Sequence, residues 1–290
     1  MARSDRVGVA KTYKLYIGGK FPRSESGRSY PVTSESGAFL ANASQASRKD
    51  LRDAVVAARS AFGGWSGATA YNRGQVLYRV AEVMEGRRDQ FIAEVRDAED
   101  VRPRTAESLV DTAIDRWVWY AGWTDKLAAV LGGTNPVAGP YFSFTVPEPT
   151  GVVGVLAPQR SSLLGLVSVL APVLATGCTA AFVSSDARPL PAITLAEVLA
   201  TSDVPGGVVN LLTGQAAELG PWLASHADVN ALDLTGADPE HRTELARSAA
   251  DTVKRVLRVP EQEPDWTSSP GIGRLRAYLE DKTVWHPMGV

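Results

Sequence analysis

Apolar positions crowd most densely into one stretch, GVVGVLAPQRSSLLGLVSVLAPVLATGCTAAFVSSD over residues 151–186. Its first part, Gly151–Leu156, is a β-branched run bounded by glycine and proline and predicts a buried strand. Ser161 or Ser162 then stands where a helix cap would, ahead of the spaced Leu163, Leu166, Val167, Leu170, Val173 and Leu174. Gly177 stops that helix, and Thr179–Val183 predicts the next strand. Strand, crossover helix and strand make the βαβ unit of a parallel sheet. Residues 161–185 carry no charge, so a membrane span is the competing reading. Pro172, Gly165, Gly177 and several hydroxyls interrupt the run, and a buried crossover accounts for it better.

Elsewhere the pattern alternates. Tyr13–Ile17 predicts a strand that turns at Gly18-Gly19, Ser24–Tyr30 is turn-rich, and Phe39–Ala43 predicts a short strand. Ser47 with Asp50 opens a helix through Leu51, Val55, Ala58 and Phe62 that Gly63-Gly64 should end. Helices are predicted over about 70–98 and 104–131, and a strand over Tyr141–Val146. After the central unit come a helix at Pro191–Thr201, a strand at Gly207–Leu212, a helix at Gln215–Ser225, a strand at Val229–Leu234 and a long helix at Pro239–Leu257. The expected fold class is α/β: a doubly wound, Rossmann-like parallel sheet, with N-terminal helices and a small β-arm, whose oligomerisation role is what the family resemblance described below implies. Residues 1–10 are expected to be loose. Residues 258–270 form a linker by composition, and Tyr278–Trp285 finishes the chain.

Composition narrows the classes. Among 290 residues 44% are apolar and 21% charged, with a net charge of −2. That balance offers nothing to nucleic acid or an anionic membrane. A single cysteine excludes an internal disulfide and a cysteine-based zinc site. The opening MARSDRVGVAK has no apolar core of a secretory signal, so a cytoplasmic location is expected.

The order of these pieces resembles the aldehyde dehydrogenase family. YKLYIGGKFPRSESGRSYPV is similar to that family's opening strand pair, and LRDAVVAARSAFGGWSG with NRGQVLYRVAEVME to its first two helices. EPTGVVGVLAP through SSDARPLPAITLAEVL, then VPGGVVNLLTG through VNALDLTGA, resembles its nucleotide-binding domain, and PGIGRLRAYLEDKTVW its last oligomerisation segment. The resemblance implies four parts. Residues 1–146 hold the N-terminal strands and helices with part of the oligomerisation hairpin, and 147–257 the nucleotide-binding-type domain. Residues 258–270 replace the catalytic domain that carries the family's nucleophilic cysteine, and 271–290 form the oligomerisation segment.

Each motif that carries the family's chemistry departs from the pattern here. Cys178, the sole thiol, stands at the start of a strand where the family has a polar residue such as asparagine. A small buried cysteine is the plainer reading, and a nucleophile the sharper one. Where the family's Pro-Trp-Asn-Phe-Pro supplies an oxyanion-binding amide, Pro158-Gln159-Arg160-Ser161-Ser162 puts Arg160. The lysine of Lys-Pro-Ser-Glu has become Val183, while Asp186 keeps a carboxylate that could accept a ribose hydroxyl or cap the next helix. The phosphate-side turn keeps Thr235 and Gly236 but has Ala237 for serine and His241 for the second glycine. Asp238 and Glu240 there oppose a phosphate yet suit the first turn of a helix with Pro239 at its start. Val259 stands where the general-base glutamate belongs. Asp186, Thr235 and Gly236 are therefore the vestigial cofactor candidates for NAD or NADP. No catalytic residue is expected, and His226, His241 and His286 have no metal-ligand spacing.

Trp117, Trp119, Tyr120 and Trp123 either pack on the core or meet another subunit. The terminal strand needs a sheet to join, which the resemblance places partly in a neighbour. These readings favour an inactive family member, a structural or regulatory subunit in a homo- or hetero-oligomer with a full-length aldehyde dehydrogenase. The alternatives are an oxidoreductase whose site a partner completes and a nucleotide-responsive binding module.

Overall fold

A computed structural model describes residues 11–257, 259–260 and 262–289. The segment 1–10, expected to be loose, lies outside the described residues. The chain opens with β1 (Thr12–Tyr13), β2 (Ser29–Thr33) and β3 (Phe39–Ser44), a small sheet in the order β1-β3-β2. Tyr16 also pairs antiparallel with Leu211, and Ile17 with Lys20 across the Gly18-Gly19 turn, whose φ values of 60° and 79° require glycine. The strand β2 begins inside Ser24–Tyr30, the stretch that sequence marks only as turn-rich.

Five helices come next: α1 (Arg48–Gly67), α2 (Ala70–Gly86), α3 (Arg88–Glu99), α4 (Pro103–Ala121) and α5 (Leu127–Leu131). Three of their boundaries correct the sequence reading. Ser47 and Asp50 form the capping box that starts α1, but the helix passes through Gly63-Gly64. Trp65 is buried there with its Nε1–H on the Leu174 carbonyl at 3.1 Å, and that burial outweighs two weak helix formers. The helix predicted over 70–98 is two, because Arg87 leaves helical geometry (φ −117°, ψ 15°) between α2 and α3. The helix predicted over 104–131 ends at Ala121, where Thr124 folds back onto the Ala121 carbonyl and seats against Gly74 of α2.

The arm follows as β4 (Gly133–Asn135) and β5 (Tyr141–Pro149), and then the central unit as β6 (Val152–Leu156), α6 (Leu164–Ala175) and β7 (Thr179–Val183). Alternation continues through α7 (Leu190–Leu199), β8 (Val209–Leu212), α8 (Ala216–Ser225), β9 (Ala231–Asp233), α9 (Pro239–Ala250) and β10 (Arg255–Val256). The predicted helix over 239–257 is too long. Val253 takes φ 56°, Lys254 N–H returns to the Ala249 carbonyl, and the chain enters β10 beside β9. All five strands are parallel, in the order β10-β9-β6-β7-β8.

Side chains alternate between two cores across this sheet. Val153, Val155, Ala180 and Phe182 face α6, α7 and the outer layer α2–α4, whereas Val152, Leu156, Ala181 and Val183 face α1, α8 and α9. Helix α6 is buried on every side, which explains its unbroken apolar composition. Trp117 and Tyr120 lie inside this core and Trp119 and Trp123 pack at its edge. Among the described residues no helix is long and apolar enough to cross a membrane.

The short helix α10 (Gly273–Ala277) leads into β11 (Leu279–Pro287). The terminal strand finds a sheet within its own chain, where β11 pairs antiparallel with β5 from Leu279 to Pro287. Thr283 and Thr145 face each other with their hydroxyls 2.9 Å apart, and Lys282 pairs with Glu148.

Two predictions come from the packing. A Cβ on Gly154 would meet Leu223 and Leu232 side chains at 2.8 and 2.9 Å. Gly154→Val should therefore lower unfolding stability by about 1–3 kcal/mol in urea titrations. Glu94 is mostly buried; its Oε1 accepts from Tyr13, Gln90 and Thr194, and its Oε2 has no partner among the described residues. Burial raises its pKa against the pull of those hydrogen bonds and of Lys11. A carboxyl raised in the folded state stabilises below its unfolded pKa, and that contribution is lost as pH rises through the folded pKa. Glu94→Gln should thus raise Tm at neutral pH and flatten its decline above about pH 4.5.

Candidate functional site

A cleft of about 1120 Å³ opens at the carboxyl ends of β6, β7 and β9, bounded by α8, α9 and residues 262–267. Open parallel sheets receive ligands at this edge. Asp186, Thr235, Gly236, Ala237 and His241 all border the cleft, so the structure brings the sequence candidates together.

Their contacts are internal. Asp186 Oδ1 accepts the Ala216 amide at 2.9 Å, capping α8 rather than the next helix α7, and its own N–H donates to Gln159 Oε1 at 3.0 Å. Burial pushes the Asp186 carboxyl up, and the Ala216 bond partly offsets this. Thr235 receives Arg274 Nη2 on its hydroxyl at 2.9 Å. Gly236 donates to the Leu156 carbonyl at 2.8 Å, and a Cβ there would lie 1.6 Å from the Ala157 oxygen. Only glycine lets the turn after β9 cross β6 this closely. Val183 and Ala237 are buried and His241 is exposed on the first turn of α9.

Cys178 lies elsewhere. It precedes β7, at the amino end of the strand, whereas the cleft lies at the carboxyl ends. Its Sγ is fully buried 3.3 Å from the Tyr278 carbonyl, and burial raises the thiol pKa. Arg160 borders the cleft with its amide on Glu263 Oε2 at 3.3 Å, and Val259 packs partly buried beneath α9's side of the sheet. His226, His241 and His286 do not converge. Among the described residues no three His, Cys, Asp or Glu side chains stand close enough to hold a metal ion.

The strongest polar cluster was not anticipated from sequence. Asp233, with no exposure at the end of β9, accepts from the Thr235 amide (3.0 Å), the Tyr278 hydroxyl (2.9 Å) and the Arg274 guanidinium. Burial works against the Arg274 charge, but Asp233 more than restores it and holds the group above its ordinary value. Burial, and then Asp233, raise the Tyr278 pKa. An acid inside the apolar run VNALDL was the available signal; its partners lie some forty residues on and have no local pattern.

The comparisons with known proteins agree with this geometry. Residues 21–258 match the profile of the aldehyde dehydrogenase family. DhaS of Bacillus subtilis (strain 168), which carries the aldehyde dehydrogenase name, is 34% identical over 253 residues, covering 84% of this chain and 50% of that protein. HpcC from Thermus thermophilus superposes with TM-score 0.81 at 31% identity, covering 85% of this chain and 47% of that one. An aldehyde dehydrogenase from Bacillus cereus, solved as its NAD+ complex, gives TM-score 0.79 at 27% identity, with 85% and 50% covered. The chain belongs to the aldehyde dehydrogenase family. It spans about half the length, or less, of the curated relatives it matches.

A dinucleotide suits the family fold, but the cleft residues of this family member do not fit one. Asp238 caps α9 by accepting the Glu240 amide at 3.1 Å, which sets two carboxylates at the helix end that should receive a phosphate. Arg242 borders the cleft, yet its guanidinium already serves the Ala237, Thr235 and Pro260 carbonyls. Among the described residues no lysine lines the cleft.

Two measurements test this description. Asp233→Asn leaves Arg274 buried without its counter-charge and should cost about 3–5 kcal/mol of unfolding stability by denaturant titration. Cys178 should resist a thiol-reactive disulfide dye in the native chain and react fully in denaturing urea; rapid native labelling would show an accessible thiol.

Proposed function

We propose that this chain is a non-catalytic member of the aldehyde dehydrogenase family that serves as a structural or regulatory subunit beside a full-length relative. The observation that carries the reading is the placement of Cys178. The only thiol in these 290 residues sits buried at the opposite end of the strands from the cleft. The thiol does not reach an aldehyde in the cleft, and Val259, where the resemblance puts the family's general base, is apolar. The misfit between the cleft and a pyrophosphate supports the same reading.

The arm supports a role in assembly. Phe142, Phe144 and Val146 of β5 share one face with Val284 of β11, while Tyr141 meets Trp285 edge-to-face on the other at 5.8 Å between centroids. Tyr141, Phe142 and Trp285 are exposed. The outer backbone edge of β11 is open to a further strand, in the manner of β-addition.

The test is native mass on the chain alone and after co-expression with a full-length aldehyde dehydrogenase from the same source. A mixed oligomer is expected, and Trp285→Glu should weaken it at least about tenfold. The isolated chain should show no aldehyde-dependent NAD(P) reduction. Such activity, if abolished by Cys178→Ala, would falsify the proposal, and a mixed assembly more active than the relative alone would favour a site completed by the partner.

A further inference from the structure

The stretch that stands between the nucleotide-binding-type domain and the arm does not hang loose as a linker; residues 262–268 lie across the mouth of the cleft. Arg116 of α4 grips this segment with one nitrogen on two carbonyls, Trp266 at 2.7 Å and Ser268 at 3.0 Å. Asp265 closes a tight turn by accepting from Thr267 and Ser268. The turn delivers the Trp266 indole onto the first turn of α6. Gly165 lies beneath it, and a Cβ on Gly165 would come within 3.0 Å of the indole nitrogen. The Arg274 guanidinium approaches the ring to 5.4 Å from its centroid. Glu263 finishes the arrangement: one carboxylate oxygen takes the indole N–H at 2.9 Å and the other takes the Arg160 amide at 3.3 Å.

We propose that the α6 end of the cleft is a seat for a flat aromatic ring, that Trp266 fills it as a built-in occupant, and that an aromatic ligand enters by displacing the 262–268 strap. With the strap displaced, the seat keeps a glycine floor at Gly165 and the Arg274 cation near the ring, which together suit a flat aromatic ring such as indole. The strap is suited to leaving. It is irregular, its outer residues Gln262, Asp265, Thr267 and Ser268 are exposed, and Trp266 is only half-buried. The seat depends on no neighbouring chain, so it stands or falls separately from the subunit reading.

Indole alone is the probe, and amide hydrogen exchange of the whole chain is the primary readout. Saturating indole should speed exchange of the strap amides by about threefold or more while the α6 amides stay unchanged. Arg116→Gln, which loosens the strap from outside the seat, should speed the same amides without indole. Trp266→Gly vacates the seat and should bind indole at least about tenfold more tightly than the wild-type chain by calorimetry. Strap amides that are as protected as α6 and indifferent to indole would overturn the proposal and make 262–268 a fixed wall. This wild-type measurement decides even if either variant fails to fold.

Discussion

The carboxylate of Asp233 is where the separate parts of the molecule are joined. It emerges at the end of β9 with no access to water and must be compensated where it stands. The turn that follows supplies the Thr235 amide and hydroxyl, and the distant C-terminal segment supplies Arg274 and Tyr278. The guanidinium also reaches Thr235, so the cleft edge and the C-terminal segment share one hydrogen-bonded cluster. Breaking one member leaves the others buried and unsatisfied, which makes the cluster cooperative. Through Tyr278 it also fixes the start of β11, because the Tyr278 carbonyl receives both the Thr150 amide and the Cys178 thiol.

In the sheet, burial on both faces asks only for apolar side chains, and β6 with Ala180–Val183 of β7 supplies them. The edges are the harder problem. One is met by Tyr16 pairing with Leu211 beside β8, and the other by β10 beside β9. The cleft edge is covered by the strap, which Arg242 anchors near Pro260 and Arg116 anchors at Trp266 and Ser268.

The fold was legible in sequence wherever one local pattern decided the structure. The βαβ unit, the Ser47–Asp50 capping box and the strands β6–β9 follow from periodicity and turn chemistry, whereas β10 falls in a stretch that periodicity reads as helix. The boundaries that differed were decided by contacts far away in the chain: Trp65 reaching Leu174 carries α1 past two glycines, and the Thr124 turn against Gly74 ends α4. The cleft residues were legible as a group, because family resemblance placed Asp186, Thr235 and Gly236 on one edge. Their contacts were not, since Asp186 meets Ala216 and Thr235 meets Arg274 only after folding. The strap was the least legible element. Its composition of prolines and acids says linker, and only the positions of Arg116 and Gly165 make it a cover.

The pairing of β11 with β5 has a consequence for synthesis. β5 is made before the first strand of the parallel sheet, and its partner comes only after the last one. While the ribosome builds everything between, one edge of β5 remains without its strand, with Tyr141, Phe142 and Val146 beside it. A nascent chain in that interval presents an adhesive edge to whatever is being translated nearby. The order of synthesis therefore leaves the arm open until Leu279–Pro287 emerge to close it.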